Sequence, residues 1–211
     1  MAKINLKTFV SGNLSNNCYL VFDQTNNKGF VVDCPSPSAE IRGYIKEKGI
    51  DVLFVALTHA HFDHIAGLGD FQVPFYVHKD DKAFLKDSRL NGSAFFEQAV
   101  KIVEEPLLYP KNSELYFLHN KIEVIFTPGH TPGSVSLRLG NWLFSGDALF
   151  FDSVGRTDIP LASGGVLIKS LKERVMVLPD ETMVYPGHGP STSIGRERKH
   201  NPFLRNANGR E

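Results

Sequence analysis

Disulfides cannot organise this chain. Its 211 residues include only two cysteines, Cys18 and Cys34, too few for a stapled framework and spaced like no zinc ribbon. Both read as reduced, packed thiols. An excess of one charge is missing as well: Lys plus Arg number 23 against 23 Asp plus Glu, so the formal net charge is zero, and no block of like charge occurs. Nucleic-acid binding through counterion release ordinarily rests on a basic surplus, so nucleic acid is not an expected partner. No apolar run approaches the roughly 18 residues that cross a bilayer. Residues 1–7 lack the apolar stretch of a signal peptide. The expectation is a cytoplasmic protein with no membrane partner.

Hydrophobic residues make up 42% of the chain, ample for a packed core and inconsistent with disorder. No repeat, low-complexity tract or long linker interrupts it, so one domain over residues 1–211 is expected. The 18 glycines and 12 prolines punctuate short apolar runs. Strands are expected at 18–22, 30–33, 52–57, 75–77, 115–118, 122–126, 135–139, 142–144 and 183–185. A helix is expected at 39–48, where Ile41, Tyr44 and Ile45 share a face and Gly49 ends the run, with others at 79–86, 93–103 and 165–178. Strands interleaved with helices describe a mixed α/β layer protein.

Polar chemistry collects at strand ends. Of eight histidines, those at 59, 61, 64, 130 and 188 share one context. The apolar run to Leu57 passes into Thr58-His59-Ala60-His61-Phe62-Asp63-His64. Val124-Ile125-Phe126 passes into Thr127-Pro128-Gly129-His130, Trp142-Leu143-Phe144 into Ser145-Gly146-Asp147, and Met183-Val184-Tyr185 into Pro186-Gly187-His188. In layered α/β folds, ligands gather at the carboxyl ends of strands, where a rigid sheet positions the loops. His59 and His61, two apart in extended backbone, point the same way and can share one metal; the turning chain can aim Asp63 and His64 at another. One histidine at a strand end is ordinarily a hydrogen-bonded surface residue. His59, His61, Asp63 and His64 in one hexapeptide, joined by three more such strand ends, form a metal-ligand set suited to zinc or another borderline divalent ion. The spacing is not the helical H-E-x-x-H of thermolysin-like sites. His78, His119 and His200 stand alone and carry no expected chemistry.

These motifs, with Thr131-Pro132-Gly133-Ser134 and Gly189-Pro190 continuing two of them, resemble the metallo-β-lactamase superfamily, and within it the glyoxalase II branch, the hydroxyacylglutathione hydrolases. The resemblance implies an α/β fold, a four-layer αβ/βα sandwich of two mixed sheets flanked by helices. It implies two divalent metal ions, zinc first, with iron or manganese as alternatives. His59, His61 and His130 would hold one ion, Asp63, His64 and His188 the other, and Asp147 would bridge them. Neither cysteine falls at a ligand position. Full-length glyoxalase II enzymes carry a C-terminal helical domain that helps hold glutathione; here residues 189–211 follow His188, so the short bacterial type is the expected match. The segment Val154-Gly155-Arg156-Thr157-Asp158-Ile159-Pro160 is similar to those short proteins and partly to persulfide dioxygenases, although no cysteine precedes Gly155-Arg156.

The expected activity is hydrolysis of a small-molecule thioester of the hydroxyacylglutathione type. Two divalent ions lower the pKa of bound water to roughly 7, so a metal-bridging hydroxide would attack the thioester carbonyl, with Asp63 orienting it as the catalytic carboxylate. The thiolate leaves without a strong general acid. Arg156 and Lys199 are candidates for binding a substrate carboxylate or phosphate. Thr58, Thr127, Thr131 and Ser134 would shape turns or brace the ligands, and Phe9, Phe62, Phe151 and Phe203 would fill core or pocket. The alternatives are a mononuclear iron persulfide dioxygenase using His59, His130 and Asp147, a lactone or phosphodiester hydrolase on the same centre, and a non-catalytic metal-binding module.

Overall fold

The computed structural model describes residues 4–96 and 99–205. Two six-stranded sheets dominate it. The first runs in the order β1 (Ile4–Ser11), β2 (Asn16–Asp23), β3 (Lys28–Val32), β4 (Asp51–Ala56), β5 (Phe75–Val77), β6 (Leu107–Leu108). Its first three strands pair antiparallel and the rest parallel. Every residue of β2 is buried. Cys18, Leu20 and Phe22 face one apolar cluster, Tyr19 and Val21 another, as period-two side chains must when a strand is covered on both faces.

The second sheet contains β7 (Glu114–Phe117), β8 (Asn120–Phe126), β9 (Val135–Leu139) and β10 (Trp142–Gly146). After a hairpin of β11 (Leu149–Phe150) and β12 (Ser153–Val154), β13 (Met183–Pro186) pairs parallel with β10, and β14 (Thr192–Ser193) closes the edge. The inter-sheet core joins Tyr19, Phe30, Phe54 and Ala56 of the first sheet to Phe117, Ile122, Leu137 and Phe144 of the second. Outside the first sheet, Leu20, Val31 and Leu57 meet Ile41 of α1 (Ala39–Lys48) and Ile65 of α2 (Phe62–Ile65). Outside the second, Leu143 and Val184 meet Leu167 of α3 (Gly164–Ser170) and Ile194 of α4 (Ile194–His200). Helix, sheet, sheet and helix form the expected four layers. No described helix is long and apolar enough to cross a membrane.

The expected helix at 39–48 is present and ends on Gly49, whose φ of 61° lets its N–H cap the Ile45 and Lys46 carbonyls. The expected helix at 93–103 is not formed over its described part. A single 3₁₀ turn, Ser93–Phe95, gives way to extended backbone at Phe96; residues 97 and 98 lie outside the described residues. Ser93 Oγ accepts from the Val100 N–H, and the Asn91 carboxamide donates to the Phe84 and Val100 carbonyls. These side-chain bonds hold the segment as a loop. The run at 79–86 is 3₁₀ (Lys79–Leu85). The helix expected at 165–178 is α3 followed by a π turn, Leu171–Val175. Edge strand β1 and the short, charged α4 lie outside the expected elements.

Candidate metal centre

β4, β8, β10 and β13 each end at the same rim of the sandwich, and each delivers donors there. After β4, His61 keeps extended dihedrals (φ −70°, ψ 150°) and α2 begins at once, so His59 and His61 leave the strand while Asp63 and His64 ride the first helical turn. Loops after β8, β10 and β13 add His130, Asp147 and His188. The two sheets are stitched together here: Asn17 N–H donates to Gly187 O at 2.7 Å, and Tyr19 Oη to Pro186 O at 2.6 Å.

All seven expected donors converge. Their ligand atoms form three groups within 4.8 Å: His59, His61 and His130; His59, His64 and Asp147; Asp63, His64 and His188. Asp147 reaches both outer groups. Its Oδ2 lies 3.5 Å from Nε2 of His130 and 3.5 Å from Nε2 of His188, and its Oδ1 lies 3.3 Å from Nε2 of His64. Asp63 Oδ2 is 3.4 Å from His188 Nε2.

The fold anchors one nitrogen of most of these rings and aims the other inward. Nδ1 of His59 pairs with Thr58 Oγ1 (3.1 Å), that of His64 with Asp33 Oδ2 (2.9 Å), that of His130 with the Arg156 carbonyl (2.9 Å), and that of His188 with the Leu14 carbonyl (3.0 Å). This is the arrangement that fixes tautomer and orientation in metal-binding histidines. His61 is the exception; its Nδ1 faces Nε2 of His130 at 2.9 Å. The Nε2 atoms of His59 and His64 and Oδ1 of Asp147 are buried without a hydrogen-bond partner, a costly state for polar atoms. Imidazole nitrogens and carboxylate oxygens so placed fit divalent cations. Gly187 is needed for the approach: a Cβ there would overlap Asp147 Oδ1 and crowd His64.

Electrostatics divide the cluster. Burial and the neighbouring imidazoles hold His59 well below the usual histidine range. Burial, then His130, takes His61 down to about 3, and burial lowers His130 too. For His64, burial is outweighed by Asp147, Asp33 and Asp63, which raise it well above that range. His188 is raised by Asp63 and Asp147 against burial. Burial would raise Asp63, but His64 and hydrogen bonds from His188 and Asn16 hold it well below the carboxylate range.

Two braces escaped sequence analysis. Asp33 accepts from Thr58 N–H (2.8 Å) and Thr58 Oγ1 (2.7 Å) besides holding His64. Asn16 Nδ2 donates to Asp63 Oδ2 at 2.8 Å. Asp33 follows β3 as Asp147 follows β10, so the strand-end signal was available for it; Asn16 has no comparable local signal. Thr58 braces His59 as expected, whereas Thr131 Oγ1 donates to Asp81 and Thr127 Oγ1 pairs with Ser136. Phe9 is core and Phe62 lines the cavity, but Phe151 and Phe203 are exposed, Phe151 beneath the Arg196 guanidinium.

The donors open onto a cavity of about 660 Å³ lined by His61, Asp63, His130, Asp147 and His188 at one end and including Arg156. Arg156 thus reaches the site, its fork held by Asp158 at 2.8 and 2.9 Å. Lys199 does not: it is exposed on α4 and lines no part of this cavity.

Similarity to known proteins follows the same residues. The family model described as metallo-beta-lactamase superfamily matches residues 11–188. The chain is 36% identical to the probable metallo-hydrolase YqgX of Bacillus subtilis, over 92% of this chain and 94% of that one. It is 28% identical to the hydroxyacylglutathione hydrolase GloC of Haemophilus influenzae, over 89% and 92%. Among solved structures it is similar to the BLEG-1 B3 metallo-beta-lactamase (TM-score 0.90, 33% identity, 95% of this chain and 99% of that chain) and to TTHA1623 in a di-iron-bound form (TM-score 0.78, 34% identity, 94% and 100%). With the sandwich, the rim of donors and these matches agreeing, the chain belongs to the metallo-beta-lactamase superfamily.

Proposed function

We propose that this chain is a metal-dependent hydrolase of thioesters, with hydroxyacylglutathione-type thioesters as the first substrates to test. The observation that carries the reading is the pair of donor groups joined by Asp147 and lining a cavity. His59, His61 and His130 would hold one divalent ion, Asp63, His64 and His188 a second, and Asp147 both. Zinc suits these donors best, and iron or manganese also fit; the similarity to a di-iron-bound protein keeps iron open. When bound, the ions supply an ionised water at neutral pH and polarise the scissile carbonyl.

The chain's own groups do the rest. Asp63, held ionised by His64, His188 and Asn16, would accept a hydrogen bond from the attacking hydroxide and fix its direction. Asn16 keeps that carboxylate from turning. The cavity walls would hold the substrate with its carbonyl carbon facing the donors. The departing thiolate is a weak base, so no side chain need protonate it, and the cavity's described carboxylates are all lowered rather than raised. Similarity to GloC supports the thioester class.

Elemental analysis with a thiol-release assay on S-lactoylglutathione tests the reading. Two divalent ions per chain are expected, with release abolished by a chelator and restored by zinc. One iron per chain with oxygen consumed on a persulfide would favour the dioxygenase. Fully loaded protein inert towards every thioester would overturn the proposal.

A further inference from the structure

Apart from the donors, most of the residues lining the cavity are apolar. Phe62 lies between the donor residues His61 and Asp63 in sequence, and its ring packs against Phe96 with centroids 4.4 Å apart. Phe95 and Phe96 line the same cavity and are 74% and 50% exposed; Leu14, also lining it, is 44% exposed. Ile159 continues the wall. Large apolar side chains left open together at a cavity mouth mark a surface that is covered in use, and sites for small molecules are built from such walls with a few polar groups at one end.

Charge points the same way. Arg156 is the cavity's one cationic side chain among the described lining residues apart from its histidines. Both its Nε and Nη2 are spent on Asp158, which also lines the cavity, and Lys199 is elsewhere. A substrate bearing several carboxylates would meet only this already paired cation among the described lining residues, and a carboxylate taken out of water is costly unless it is paired.

Resting on the thioester reading above, we infer that the site takes thioesters with an apolar acyl body, an aryl-alkyl or medium alkyl chain, on a thiol that carries at most one carboxylate. The acyl body lies along Phe62, Phe95 and Phe96, and glutathione, which carries two carboxylates, is not the preferred carrier. An added apolar group in a fitting pocket is worth roughly 10- to 200-fold in kcat/KM.

Three probes of the metal-loaded protein test this: the phenylacetyl and acetyl thioesters of N-acetylcysteamine, and S-lactoylglutathione. The phenylacetyl ester is expected to exceed each of the others at least tenfold in kcat/KM. Phe95→Ala/Phe96→Ala is expected to lower the phenylacetyl-to-acetyl ratio about tenfold, mainly through KM. Val177→Ala, equally exposed (69%) but away from the cavity, is expected to leave the ratio unchanged. Calorimetry with the non-cleavable thioether S-(2-phenylethyl)-N-acetylcysteamine reads the pocket without turnover; binding with a negative heat-capacity change, weakened about tenfold by the double variant, supports the inference. A preference for S-lactoylglutathione, an unchanged ratio in the double variant, or no thioether binding would overturn it. Thioether binding that depends on the two rings, with no thioester cleaved, would sustain the apolar pocket and defeat the thioester reading instead.

Discussion

The two donor groups at the rim are built differently. His59, His61 and His130 are three imidazoles, all buried, and burial lowers each of them, with neighbouring imidazoles adding to it at His59 and His61. Asp63, His64 and His188 mix imidazole with carboxylate, His188 is partly open to solvent, and nearby carboxylates raise both histidines. Their braces differ too. Asp33 grips the His64 ring itself. Asp81 touches no ligand ring; it accepts from the Ala60 and Gly133 N–H groups and from Thr131 Oγ1, tying the loop of His59 and His61 to the loop of His130 through backbone. The loops of the first group are tied together through Asp81, while in the second group side chains hold two of the donors directly, Asp33 on His64 and Asn16 on Asp63.

Asp147 is the one residue both groups share, so Asp147→Ala should have the largest effect. Thiol release should fall by more than the roughly 100-fold that a supporting residue is worth, with bound metal reduced at both groups. Unchanged zinc and iron in the purified variant would count against its bridging role. Next comes Asp33→Ala. Freeing the His64 ring should weaken the ion at the second group about 10- to 100-fold and the ion at the first group less, as read by stepwise zinc titration against a chelator. Equal losses at both would erase the asymmetry drawn here.

What sequence revealed and what it hid divide along the same line. The seven donors are legible because each sits one to a few residues beyond an apolar strand, so a local pattern reports a shared rim. Asp33 shares the strand-end signal but acts as a brace on a ring 31 residues away, whereas Asn16, which acts on Asp63 47 residues away, has no local signal at all. A mixed α/β layer protein is legible from short buried runs between turns, and the family resemblance implied its four layers. The loop at 93–96 is not, because Asn91 and Ser93 bond to a carbonyl and an N–H at Val100 and override a helical apolar pattern. Arg156 rides the loop whose carbonyl holds His130 and so reaches the cavity. Lys199 is carried off by α4.

The backbone brace gives a smaller effect, readable in stability. Burial raises Asp81 to about 6 despite its three hydrogen bonds, above the ~3.9 of an unfolded aspartate. The folded state then binds the proton more tightly between those values, so this group's contribution to stability is lost as pH rises through the window. Between pH 4 and 7, chemical denaturation should show Asp81→Asn gaining on the parent by about 2–3 kcal/mol. A gap independent of pH would contradict this. Smallest of all, Lys199→Ala should leave thiol release within about twofold, as expected for an exposed side chain outside the cavity; a large rise in KM would return it to the site.

The central claim is that one rim holds two ions in two unlike cages. Anomalous diffraction from crystals of zinc-loaded protein tests it most directly. Two peaks per chain are predicted, one among His59, His61 and His130 and one among Asp63, His64 and His188, with Asp147 touching both. A single peak, or peaks away from these seven side chains, would contradict it.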